Sequence, residues 1–102
     1  MPSRDRIHEV LESEQTIERL AAIEHERWAH WQRYVHDQCD RQLDGSLVMP
    51  AELVARWEAQ IKTPYAELSK HEQESDREQV RRFLPTIIDA LDDQGDESHQ
   101  LR

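Results

Sequence analysis

Apolar residues recur at helical spacing along the first half of the chain and predict one long amphipathic helix. We expect this helix, the longest of the chain, to run from about Thr16 to Cys39. Turn residues cluster at Asp44-Gly45-Ser46, so it must end before them. The apolar stripe consists of Ile17, Leu20, Trp28, Trp31 and Val35.

A second apolar pattern predicts an inserted helix over residues 50–62. Pro50 suits a first helical position, where its missing N–H is not needed. Pro64 ends the helix, because a residue that precedes proline is pushed away from helical geometry. The apolar face carries Leu53, Val54, Trp57 and Ile61.

Ser69 and Glu72 have the spacing of a capping box and predict the start of a third helix. Pro85 lies inside its apolar pattern, so we expect a kink or a break near Leu84. Residues 92–102 are almost entirely polar and are predicted to form a disordered tail. The predicted buried positions are Val80, Phe83, Leu84, Ile87, Ile88 and Leu91.

The pattern of elements predicts an all-α fold, a small helical bundle of about three to five helices. Residues 1–15 form an N-terminal accessory helix or arm, with three apolar positions after Ser3. The helical domain proper covers residues 16–91. A chain of 102 residues has room for one such domain and one modest core.

Composition excludes several classes of partner. The 22 acidic and 13 basic residues give a formal charge of −9, which repels nucleic acid and anionic membranes. No segment approaches the ~20 apolar residues that a membrane-spanning helix needs. The single cysteine, Cys39, cannot form an internal disulfide, which favours a cytoplasmic protein.

Glu24 lies near the centre of the long apolar stripe, where an ion needs a partner or a wet pocket. Arg77 falls one turn before the predicted core of the third helix. One interpretation is a structural Glu24–Arg77 ion pair. The other is a pocket for a small anionic or aromatic ligand. Its residues would be Glu24, Arg27, Trp28, Trp31, Tyr65 and Arg77.

Two motifs resemble those of the ryanodine-receptor repeat domain, in the short stand-alone form of bacteria and phages. They are HExWA, at residues 25–29, and PYxEL followed by ESDREQV, at residues 64–80. The resemblance covers residues 20–90 and implies a small helical domain that senses nucleotides or their derivatives in a bacterial or phage conflict system. It implies no catalytic set. The matched positions are His25, Glu26 and Trp28, then Pro64, Tyr65, Glu67, Leu68, Asp76 and Arg77.

The chain departs from that family between its two motifs. Family members follow the first helix with a glycine-bearing turn and a short basic strand. This chain has WQRYVHDQCDRQLDGS at residues 31–46 and then the inserted helix. The resemblance therefore supports the fold more than the ligand geometry.

Metal and catalytic motifs are weak throughout. His25 and His30 are five residues apart and diverge around a helix, unlike the zinc-binding HExxH. Glu72, Glu74 and Asp76 lack a second acidic motif for Mg²⁺ and are better interpreted as first-turn acids that favour the helix dipole. We predict no enzyme activity, no metal and no cofactor.

The leading hypothesis is a non-enzymatic domain that binds a nucleotide or nucleotide-derived signal. Arg27 and Arg77 would hold phosphate or carboxylate, Trp28 and Tyr65 would stack a ring, and Glu24 would accept hydrogen bonds. The alternative is a protein-interaction or dimerisation module, such as a phage-encoded regulator or inhibitor of a host protein. Its interface, which also predicts a homodimer, would comprise Leu53, Trp57 and Ile61.

Overall fold

The fold is mostly helical, as the sequence predicts. The computed structural model describes the backbone of residues 3–100 and the side chains of residues 3–92. It is 79% helical, which confirms the fold class. The elements described are α1 (Arg4–Leu11), α2 (Glu14–Gln38), β1 (Asp40–Arg41), β2 (Leu47–Val48), α3 (Ala51–Lys62), a 3₁₀ turn (Tyr65–Glu67) and α4 (Lys70–Gln100).

Serine side chains cap three of the helices. The Ser3 hydroxyl accepts from the Arg6 amide at 3.2 Å, and the Ser13 hydroxyl accepts from the Thr16 amide at 3.3 Å. These bonds satisfy amide donors that have no partner inside the helix. The same reasoning explains the third cap, at Ser69, which is described with the site below.

A short hairpin that the sequence pattern did not predict joins α2 to α3. Strands β1 and β2 pair antiparallel, with Arg41 opposite Leu47. Gly45 has φ 90°, a conformation that glycine adopts at little cost. The Asp44 carboxylate accepts from both the amide and the hydroxyl of Ser46, at 2.9 and 2.6 Å. The predicted turn at residues 44–46 is therefore the tip of a hairpin.

Helix α4 is longer than the sequence predicts. It has 31 residues against 25 for α2, so α2 is not the longest helix. It passes Pro85 as one continuous helix, so of the two outcomes expected near Leu84 the break does not occur. Proline removes a single ladder bond, and the bonds on either side can maintain the helix. The backbone is helical to Gln100, whereas the sequence predicted an end near Leu91; the side chains of the predicted tail from residue 93 onward lie outside the described residues.

The chain divides into two compact units. Unit 1 comprises residues 1–26 and 78–102, and unit 2 comprises residues 27–77. In unit 1 the buried side chains among those described are Val10, Thr16, Thr86 and Ala90. In unit 2 Leu53 of α3 is buried.

The predicted core positions of α4 are mostly not buried. Val80, Leu84 and Ile88 are exposed, and Phe83, Ile87 and Leu91 are partly exposed. The buried positions of α4 are instead Thr86 and Ala90. Helical periodicity identifies an apolar face, but it does not decide that this face packs within the chain.

We predict that Leu53→Ala destabilises the protein by about 2–5 kcal/mol, because it leaves a cavity around a side chain that is only 7% exposed. Ile61→Ala on the same helix is the matched control, since Ile61 is 76% exposed. Its effect should stay within about 0.5 kcal/mol. Urea unfolding followed by circular dichroism measures both. Equal losses for the two variants would contradict the placement of Leu53.

Candidate functional site

Three aromatic side chains of unit 2, Trp31, Tyr34 and Trp57, form what we call the aromatic cluster. The Trp31 and Tyr34 rings stack with centroids 5.5 Å apart, and Trp57 meets Trp31 edge-on at 5.7 Å. Both distances lie in the range of favourable aromatic contacts. Trp31 and Tyr34 are three residues apart on α2, whereas Trp57 comes from α3.

The aromatic cluster is open to solvent. Trp31 and Tyr34 are each 42% exposed. Trp57 is partly exposed. Side chains that hold one another in place while they expose their faces need little further ordering when they bind a partner. The cluster is therefore a preorganised apolar surface.

Arg77 of α4 lies beside Tyr65 of the 3₁₀ turn. Its Nη1 donates to the Tyr65 hydroxyl at 3.1 Å, and its Nε donates to Glu74 at 2.8 Å. The hydrogen bond to Glu74 is the main cause of the raised pKa of the Arg77 guanidinium, and the bond to Tyr65 is the second. The arginine therefore stays charged and is held in one place next to an exposed phenol ring.

The capping box at the start of α4 positions Tyr65. The Ser69 amide donates to Glu72 at 3.2 Å, and the Glu72 amide donates to the Ser69 hydroxyl at 3.1 Å, which confirms the predicted helix start. Gln60 of α3 donates to the same Glu72 carboxylate. Gln73 donates to the Tyr65 carbonyl at 2.9 Å, so the first turn of α4 holds the 3₁₀ turn directly.

The hypothesis of a buried Glu24–Arg77 ion pair is wrong in its premise, because neither residue is buried. Both Glu24 and Arg77 are exposed. The apolar stripe around Glu24 includes Trp28 and Trp31, which are exposed as well. A carboxylate in such surroundings keeps its water and does not carry the desolvation cost on which the hypothesis rested.

The predicted ligand residues are divided between the two units of the chain. Glu24 belongs to unit 1, and the other five belong to unit 2. Within unit 2, Tyr65 and Arg77 are in contact, and Trp31 joins the aromatic cluster. Trp28 is exposed and Arg27 is partly exposed.

Two clefts lie away from these residues. A cleft of about 500 Å³ in unit 2 is lined by Gln38, Pro50, Glu52, Leu53 and Arg56. A cleft of about 280 Å³ in unit 1 is lined by residues of α1, α2 and α4, among them Arg6, Thr16 and Arg19. Neither of these clefts is lined by a predicted ligand residue.

The predicted interface of α3 needs a correction at one position. Leu53 is buried, so it is not available to a partner. Trp57 belongs to the aromatic cluster, and Ile61 is strongly exposed. Sequence reasoning overlooked Tyr34, although its position three residues after Trp31 places the two rings on one helix face.

Two features are absent from the part of the chain that the structure describes. There, no three His, Cys, Asp or Glu side chains gather closely enough to hold a metal ion. Nor does any helix of that part combine the length and the apolar character that a membrane crossing requires.

Comparisons with known proteins leave the family open: no protein-family model, no curated protein and no solved structure matches the chain. The resemblance to the ryanodine-receptor repeat domain therefore stays a prediction that depends on its two motifs alone.

We predict that the capping box makes stability depend on pH. Hydrogen bonds from Ser69 and then from Gln60 lower the pKa of Glu72 below its ordinary 4.5. A carboxylate whose pKa is lower in the folded state than in the unfolded state stabilises the fold at pH values above its unfolded-state pKa. This stabilisation is lost as the pH falls through its folded-state pKa. The stability difference between the wild type and Glu72→Gln should therefore shrink below about pH 4.5.

Urea unfolding at a series of pH values from about 7 to about 3 measures this dependence. Ser69→Ala is the companion variant, because it removes the hydroxyl of the largest contributor to the shift. The difference in unfolding free energy between Ser69→Ala and Glu72→Gln should vary less with pH than the difference between the wild type and Glu72→Gln. A wild-type advantage that stays constant down to the lowest pH would show that Glu72 is not linked to folding.

Proposed function

We propose that this chain is a protein-interaction module that binds an amphipathic segment of another protein through its aromatic cluster. The observation that carries this proposal is the half-exposed stack of Trp31 and Tyr34 against Trp57. Tryptophan and tyrosine supply a disproportionate share of the binding energy in protein interfaces. They also lose little conformational entropy on binding, since each has only two side-chain torsions.

Helix α3 extends the apolar surface beyond the cluster. Val54, Trp57 and Ile61 are spaced three and four residues apart, which places them on one side of the helix. Val54 and Ile61 are exposed, and Trp57 is partly so. An apolar helix face next to an aromatic pair suits the apolar side of a second amphipathic helix.

The charge of the chain favours a partner with basic flanks. With a formal charge of −9, the protein attracts cationic segments and repels anionic ones during encounter. The proposed partner is thus a helix with an apolar side and a polar side rich in lysine or arginine.

A displayed library of such amphipathic helices tests the proposal. Selected binders should lose at least about 30-fold in affinity for Trp31→Ala, the loss expected of a central aromatic contact. Tyr34→Ala provides a second variant, and circular dichroism checks that both keep their helices. Titration calorimetry measures the affinities.

Leu43→Ala is the control, because Leu43 is a fully exposed large apolar residue of the hairpin. Its affinity should match that of the wild type. Binders that tolerate both Trp31→Ala and Tyr34→Ala, or a selection that yields no binder, would contradict the proposal.

A second candidate function, binding of a nucleotide-like ligand, is favoured by the contact between Arg77 and Tyr65. The two bonds to Tyr65 and Glu74 engage two of the five N–H donors of the guanidinium. Tyr65 is 48% exposed, so its ring can also stack on a base. A fixed cation next to an exposed ring is a small version of a phosphate-and-base site.

For this candidate, we expect a nucleotide or cyclic nucleotide to raise the midpoint of thermal unfolding at concentrations well above its Kd. Arg77→Gln should abolish the shift, whereas Arg41→Gln, in the hairpin, should leave it intact. The ligand should be recovered unaltered, with or without Mg²⁺. A panel without any stabilising nucleotide, or a shift that survives Arg77→Gln, would count against this function.

A further inference from the structure

Helix α4 carries a second apolar surface, in unit 1. Val80, Leu84 and Ile88 follow one another at intervals of four residues, and we call them the α4 row. Their exposed fractions are 58%, 44% and 60%. Residues four apart lie on one side of a helix, so the row runs for about 12 Å along one face of α4.

Partly exposed apolar residues widen this surface on one side. On a helix with 100° per residue, three further apolar residues lie on the same side of Leu84 around the helix axis. They are Leu91, Ile87 and Phe83, at about 20°, 60° and 100°. All three are partly exposed. A specific interface needs about 1,000 Å² of buried surface in total, and a row of three side chains falls short of that alone. The widened surface brings the requirement within reach.

The charges on the other side of the row differ between its two ends. Arg81 lies about 60° from Leu84, near the N-terminal end, and Asp92 lies about 80° from it, beyond the C-terminal end. Within residues 78–92, the other charged residues are Glu78, Arg82 and Asp89, and they lie more than about 100° from Leu84. The flank is therefore basic at one end and acidic at the other.

The α4 row and its charged flank are complementary to the same surface of a second copy whose α4 runs in the opposite direction. A two-fold axis at Leu84 brings Val80 of one copy against the partner's Ile88 and leaves Leu84 against its own counterpart. Arg81 then lies on the same side as the partner's Asp92. A parallel arrangement would instead place Arg81 against the opposite flank of the partner, which carries Phe83 and Ile87 and offers no counter-charge.

The distance along the helix axis can be bridged. Arg81 lies three residues before Leu84, and Asp92 lies eight residues after it. In the antiparallel pair, Arg81 and the partner's Asp92 are therefore about 7.5 Å apart along the helix axis. Helical side chains lean toward the N-terminus of their own helix. In the reversed pair, this lean brings the long arginine and the partner's aspartate toward each other.

We propose that the α4 row is the interface of a homodimer in which two α4 helices pack antiparallel about a two-fold axis at Leu84. The partner is a second copy of this chain, because the apolar row and its charged flank match their own reversed image. The residues of this dimer surface are distinct from those of the aromatic cluster.

Sedimentation equilibrium of the full chain at tens of micromolar tests the dimer. Leu84→Glu places two carboxylates at the axis and should weaken association at least tenfold. Ile61→Glu, on the exposed side of α3, should leave it unchanged. A monomeric wild type would overturn the proposal, as would a dimer that survives Leu84→Glu and dissociates with Ile61→Glu.

A charge exchange tests the antiparallel arrangement. Arg81→Glu and Asp92→Arg should each weaken the dimer, and the double variant should recover most of the affinity, because the pair is restored with its signs reversed. Additive losses in the double variant would overturn the antiparallel pairing.

A cysteine variant tests the position of the axis. Leu84→Cys in a Cys39→Ser background should form an intermolecular disulfide under mild oxidation, since the two Cα atoms must approach within about 7 Å. The same change at Ile61 should form none. Failure of the Leu84 crosslink in a chain that still dimerises would overturn the position of the axis.

Discussion

Hydrogen bonds to one carboxylate, that of Glu72, join α3 to the start of α4 in unit 2. This carboxylate accepts from the Ser69 amide, which begins α4, and from Gln60, which belongs to α3. The segment between the two helices is therefore held at both ends. Tyr65 lies within that segment, and its position next to Arg77 follows from the same anchoring. An exposed chain segment thus gains a defined conformation from polar contacts, with few buried apolar ones.

Burial contributes little elsewhere, and this shapes how the protein is stabilised. Among the described side chains, the buried ones are two threonines and three small or medium apolar residues: Thr16, Thr86, Val10, Leu53 and Ala90. A serine cap contributes about 0.5–2 kcal/mol, which weighs more in a chain that buries so few side chains. A protein of this kind gains stability from any molecule that binds its folded state.

The two apolar surfaces differ in chemistry, and that difference separates the roles we propose for them. The aromatic cluster combines large rings from two helices and has no internal symmetry. Such a surface suits an unlike partner with its own apolar anchors. The α4 row is aliphatic, lies on one helix and has a flank of opposite charges at its two ends. Those properties suit contact with a copy of itself.

Local signals in the sequence determined the two ends of α3 and the start of α4. Pro50, Pro64 and the Ser69–Glu72 pair restrict the backbone or supply its missing partners within a few residues, so their effect is independent of the rest of the fold. Tertiary structure alone decided that Leu53 is buried while Val80 and its neighbours on α4 are exposed. Periodicity gives every apolar face the same appearance, and only the contacts between elements select which face packs inward. The same limit explains Glu24, which is itself exposed and whose apolar neighbours in the sequence pattern proved to be exposed or partly exposed, so that no buried charge had to be matched.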